Sequence, residues 1–207
     1  MIPNETRESR GRGRGPFVTS FDLMESLRRE LTDMTRVYWL EHNLGTWQWW
    51  LFVSLAIVPW LVFVRFVDRA RLTEVLLYAL VVGLVSSVLD IIGSDLMLWG
   101  YKVRLLWFVY PTLLCTDMTI IPVTFALIYQ ACRRWWTFAP VTLVFSILDA
   151  LMEPVFHCFD IYVSYHWNLL YSIPIYLALA SAAKFMLDAL TASERRHRLR
   201  TSQPDPK

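Results

Sequence analysis

Apolar and polar residues fall in long blocks along this chain. The segment SFDLMESLRRELTDMTRVYWLEHN sets Met24, Leu27, Leu31, Met34 and Tyr38 at spacings of three and four, with charges on the opposite face. That period predicts an amphipathic helix over 19–43. Thr19 with Asp22 reads as its capping box. Such a helix lies in a membrane interface or docks as a soluble helix. Five apolar segments follow, at 47–66, 73–93, 114–132, 138–158 and 167–189. Each is near the ~20 residues that cross ~30 Å of hydrocarbon. Trp47, Trp49 and Trp50, Trp135 and Trp136, and His166 with Trp167 stand at segment edges, where aromatic belts form. The stretch Tyr101 to Pro111 is short and charged and predicts a surface or re-entrant helix. If it crossed, there would be six spans. The expected fold is all-α, a polytopic transmembrane bundle of about five spans over 44–190.

Composition agrees with the pattern. Of 207 residues, 56% are hydrophobic, too apolar for an ordinary soluble domain. The net charge of +2 gives no reason to expect nucleic acid. Residues 1–18 are rich in Arg and Gly and predict a disordered tail. They hold no apolar signal-peptide core, so insertion is expected to begin at the first span. Cys115, Cys132 and Cys158 lack metal or redox spacing and read as small core residues.

Acids inside the apolar blocks change the picture most. Asp90, Asp117, Asp149 and Glu153 all fall there, with no Lys or Arg in the same stretches. A charge at a bilayer centre costs roughly 2.5–3.5 kcal/mol on insertion scales. These carboxyls are therefore expected to face inward, stay protonated, or hold a cation. Asp149, Glu153 and His157 are spaced by four and share one helix face. At least one of the two acids is then protonated, or a cation sits between them. Ser86 and Ser94 flank Asp90 at minus four and plus four, a polar stripe. Asp117 opens its segment and reads equally as a helix cap or a site residue. Gln130 reads as an interhelical hydrogen bond. Trp99, Tyr101, Trp107 and Tyr110 read as belt residues. A single His beside carboxylates is a weak metal signal. There is no P-loop, GxGxxG, GxSxG or HExxH, so no metal or cofactor is expected.

Two patterns bear on topology. LVSSVLD (84–90) and LVFSILD (143–149) match, and IIPVTFAL and SIPIYLAL follow each in turn. A duplicated two-helix hairpin or coincidence in low-diversity sequence explains this; duplication would make Asp90 and Asp149 equivalent. Arg65, Arg69, Arg71, Arg133, Arg134 and the Arg-rich tail over 191–207 share one side of a five-span chain. The positive-inside rule makes that side, and the C-terminus, cytoplasmic.

The runs WQWW, VDRARLTEVLLYALVVGLVSSVLDIIGSDLMLWGY, TDMTIIPVTFALIYQ and DALMEPVF, with a Trp before the last span, resemble a family of small, uncharacterised polytopic membrane proteins from spore-forming Firmicutes. The resemblance covers Trp39 to Asp188, and Asp90, Gly93, Trp99 and Tyr101 carry its most specific part. It implies a multispan fold in the cell membrane and no established activity.

Three functions stand open on the sequence. One is a non-enzymatic protein binding a proton, small cation or lipid at the acids, for transport or sensing. Another is an intramembrane enzyme acting on a lipid or isoprenoid by general acid catalysis. The third is an assembly subunit whose acids face outward to a partner. Substrate and oligomeric state are not legible.

Overall fold

The computed structural model describes residues 20–110 and 115–201. The tail expected over 1–18, and Thr19, lie outside the described residues. Six α-helices carry the described chain: α1 (Phe21–His42), α2 (Trp47–Phe66), α3 (Leu72–Asp95), α4 (Ile121–Ala131), α5 (Trp135–Cys158) and α6 (Leu169–Thr201). The fold is all-α apart from two three-residue strands, β1 (Trp99–Tyr101) and β2 (Tyr162–Ser164). Helix α1 is capped by Ser20, whose side chain accepts from the Leu23 amide at 3.2 Å. Its apolar stripe, including Leu27, Leu31 and Met34, is exposed.

Four helices are long and apolar enough to cross a membrane: Trp47–Phe66, Arg69–Asp95, Trp135–Cys158 and Leu169–Glu194. Large apolar side chains such as Leu61, Val64, Leu80 and Leu84 stand outside the bundle. Exposed apolar surface on this scale marks a lipid-facing exterior, and the chain is a membrane protein. The segment expected as a fifth span is different. A five-residue π-helical turn (Thr116–Ile120) leads into the eleven residues of α4. At ~1.5 Å per residue that is roughly 24 Å, short of the hydrocarbon thickness. It need not match it, because α4 is enclosed by protein. Val123, Phe125, Ala126 and Tyr129 are all buried, as expected of a helix apolar all round. Helix α3 packs along α4, α5 along α6, α6 against α3, and α2 against the π-turn and α4. Gly83 permits a close approach of α3 to the π-helical turn: a Cβ there would lie 3.2 Å from the Asp117 carbonyl oxygen.

The stretch from Tyr101 is not the helix expected of it. It opens on β1, which pairs antiparallel with β2, and runs on irregularly through Tyr110. The aromatic flanks suit a ribbon, Gly100 leaves room for the Tyr165 ring, which a Cβ there would meet at 3.1 Å, and each strand is fed by the same turn. At the end of α3 the Leu98 amide donates to the Gly93 carbonyl at 2.9 Å, with Met97 left-handed at φ 55°. At the end of α5 the Ile161 amide donates to the Phe156 carbonyl at 2.9 Å, with Asp160 at φ 58°. Both are Schellman closures. A shift of 63 positions carries Leu72 to Trp135, Asp95 to Cys158, Met97 to Asp160 and Gly100 to Val163. The strand pairing is symmetric about Gly100 and Val163. That shift is one helical turn longer than the sequence match between 84–90 and 143–149. It sets Asp90 opposite Glu153, and Ser86 opposite Asp149, rather than Asp90 opposite Asp149.

Candidate functional site

At the end of the bundle that carries the β-ribbon, the acids converge. Asp90 comes from the last two turns of α3 and is buried. Its Oδ1 accepts from the Trp99 indole at 2.7 Å and from the Tyr101 hydroxyl at 2.9 Å. The ribbon is what returns those two donors to the helix: Trp99 and Tyr101 are alternate residues of β1 and lie on one face. Gly93, one turn after Asp90, leaves room for the Trp99 ring, since a Cβ there would fall 2.1 Å from the indole.

Asp117 is also buried, held in the π-turn. Its Oδ1 accepts from the Ser86 hydroxyl and its Oδ2 from Thr116 at 3.1 Å. It faces the Asp90 carboxyl across the α3–π-turn contact, within reach of a hydrogen bond. Asp90 Oδ2 is buried and has no donor. Asp117 is thus an interior partner of Asp90 rather than a solvated helix cap.

The second pair sits on α5. Glu153 Oε1 accepts from the Ser172 hydroxyl, and Ser172 in turn accepts from the Trp167 indole at 2.9 Å. Asp149, one turn back, is half-buried and its Oδ2 has no partner. Trp99 and Trp167 meet edge to face at 4.7 Å, which joins the two halves. Tyr176 of α6 stands within electrostatic range of Asp117, Glu153, Asp149 and Asp90 together. Around the ribbon, burial and then the Asp90 charge push the Tyr101 phenol well above its ordinary value. Burial does the same to Tyr162, helped by Glu153.

Asp90, Asp117, Asp149, Glu153 and Ser86 therefore belong to one region. Two expected members do not. The Ser94 hydroxyl donates to the Asp90 main-chain carbonyl of its own helix and not to the carboxyl. His157 is exposed, one turn past Glu153 near the end of α5. Trp99 and Tyr101 are not the belt residues that their positions predict but hydrogen-bond donors to Asp90. Their spacing of nine and eleven from Asp90 suits no single helix, and only the strand makes it legible. Tyr176 and Ser172 carried no sequence signal, being ordinary residues of an apolar run.

The opposite end is pinned by a lysine set within an apolar run. Lys184, inside α6, is 1% exposed. Its Nζ donates to the Arg133 carbonyl at 3.1 Å, pairs with Asp188 at 3.2 Å, and sits 4.9 Å from the Tyr129 ring centre. Tyr129 stacks on Tyr78 at 4.3 Å and donates to Glu74 at 2.6 Å, which also pairs with Arg71. Gln130 ties α4 to α2: it donates to the Phe66 carbonyl at 2.8 Å and accepts from the Asp68 amide at 2.9 Å.

Compared with protein-family models, curated proteins and solved structures, the chain matches none.

Proposed function

We propose that this is a proton-binding membrane protein, for transport or sensing, whose site is the Asp90–Asp117 carboxyl pair. The observation that carries the reading is the buried Asp90 Oδ2, without a donor, facing a second carboxyl. Two carboxylates facing each other away from water do not both ionise; one proton or one cation lies between them. A proton is favoured over a metal ion because the other oxygens are taken by Trp99, Tyr101, Ser86 and Thr116. A hard cation takes six to eight oxygens, roughly, and indole N–H offers none. Glu153 and Asp149, reached past Tyr176, are the next proton positions. The inward setting of Asp90 and Asp117 argues against acids that pair with a partner's basic residues across the outer surface. A bound lipid or an enzymatic reaction has no observation of its own in its favour.

The same proposal takes α3–α4 and α5–α6 as a duplicated hairpin, with α1 in the interface and the bilayer as the chain's partner. The Arg-bearing end and the C-terminus are cytoplasmic on this reading. Kinship with the small polytopic proteins of spore-forming Firmicutes is part of it.

The test uses Trp99 as reporter. In vesicles of neutral lipid, tryptophan fluorescence of the wild type should change with pH, and Trp99→Phe should remove that component. Asp90→Asn and Asp117→Asn should each abolish it. A signal that follows Na⁺, K⁺ or Ca²⁺ at fixed pH would replace the proton by a cation. No response to either would overturn the proposal.

A further inference from the structure

Beside the ribbon, the C-terminal turns of α1 and the chain after β1 enclose a cleft of about 340 Å³. Three polar side chains stand on its walls. Arg104 is half-buried, and its guanidinium lies 4.3 Å from the Tyr110 ring centre. Among the described residues no carboxylate pairs with it, and burial draws its pKa below the ordinary value. Asn43, the C-cap of α1, is 1% exposed, and its Nδ2 has no acceptor. Lys102 adds a second cation, tied to Asp160 on its exposed side. A buried amide donor without an acceptor and a guanidinium without a counter-ion on the same cleft favour an anion there. Helix α1 adds Met34, Tyr38 and Trp39 to the lining, with Thr35.

We propose that this cleft binds a phosphate-type oxyanion, with Arg104 and Asn43 as its donors. Two sources carry that chemistry, the headgroup of an anionic phospholipid and a free phosphate. Met34 and Tyr38 suit the first, since both belong to the exposed apolar stripe of α1 and would lie along an acyl chain. The site is separate from the carboxyl pair and does not depend on the proton reading, although Tyr101, a ligand of Asp90, also lines the cleft.

Arg104→Gln removes the charge and keeps the Trp39 indole bond, which goes to the Arg104 main-chain carbonyl at 2.9 Å. The full chain in uncharged detergent is titrated with short-chain phosphatidylglycerol, short-chain phosphatidylcholine and inorganic phosphate, followed by tryptophan fluorescence. Phosphatidylglycerol should bind the wild type and bind Arg104→Gln about tenfold more weakly, the loss of one charge-assisted hydrogen bond. Arg28→Gln, on α1 away from the cleft, should bind as the wild type does. If inorganic phosphate fails to compete, the source is a lipid headgroup. If it binds with the same dependence on Arg104, the source is free anion. Should Arg104→Gln prove unstable, Asn43→Asp, which puts a negative charge in the same place, must weaken binding as well. Phosphatidylcholine binding as tightly as phosphatidylglycerol, or affinity unchanged in both cleft variants, overturns the proposal.

Discussion

Gly93→Ala places one methyl group where the structure has no room. The new Cβ would fall 2.1 Å from two carbons of the Trp99 indole. That ring is not a free side-chain tip. Its Nε1 is bonded to Asp90 at 2.7 Å, its edge meets Trp167, and its backbone is in the β-ribbon. To relieve the clash the ring must leave Asp90. The lost hydrogen bond costs about 1–3 kcal/mol, and the repacking about 1–3 kcal/mol more. Ala is the better helix former by about 1 kcal/mol, which offsets part of this. The net expectation is a loss of about 1–5 kcal/mol. In a Trp99→Ala background the clash is gone, and Gly93→Ala should stabilise by about 1 kcal/mol through helix propensity alone. Denaturation of the four proteins in mixed detergent micelles closes the double-mutant cycle. A coupling energy within ~0.5 kcal/mol of zero would mean the two residues are independent, and the account of how Trp99 reaches Asp90 would be wrong.

Lys184→Met keeps the stem of the buried lysine and removes its charge. It should cost about 2–3 kcal/mol, through the Arg133 carbonyl left without its donor and the lost aromatic contacts; Asp188→Asn, at the more exposed partner, should cost less. An unchanged melting temperature for Lys184→Met would refute that role. Tyr101→Phe should lose about 1–3 kcal/mol at neutral pH with the bond to Asp90. Because the folded phenol is held protonated above its ordinary value near 10, the stability it adds is full below that value and is lost as pH rises past it. The gap between wild type and Tyr101→Phe, read from unfolding midpoints, should therefore narrow on the alkaline side; a gap that widens would show the opposite shift.

The helices were legible because lipid and protein interior both favour apolar runs, and lipid also sets their length. Segments at 47–66 and 138–158 lie almost on α2 and α5. The segment at 114–132, largely buried over its described residues, looked like the others because hydropathy does not distinguish lipid from protein as an apolar neighbour. Its π-turn and shortness depend on packing against α2 and α3. The acids announced themselves by their cost in hydrocarbon, and Asp90 with Asp117 proved to be partners although they lie on separate elements. Their donors were hidden. Trp99 and Tyr101 reach Asp90 only through a strand that pairs with a segment 63 positions away, a contact no local period records. Lys184 was masked by its apolar neighbours; its aromatic surroundings come from α4 and α5.

The most direct measurement is the infrared spectrum of the protein in lipid vesicles at neutral pH, in the region where a protonated carboxyl absorbs and a carboxylate does not. The wild type should show such a band, and Asp90→Asn and Asp117→Asn should each diminish it. A wild type without the band, or one whose band survives both substitutions unchanged, would contradict a proton shared between these two side chains.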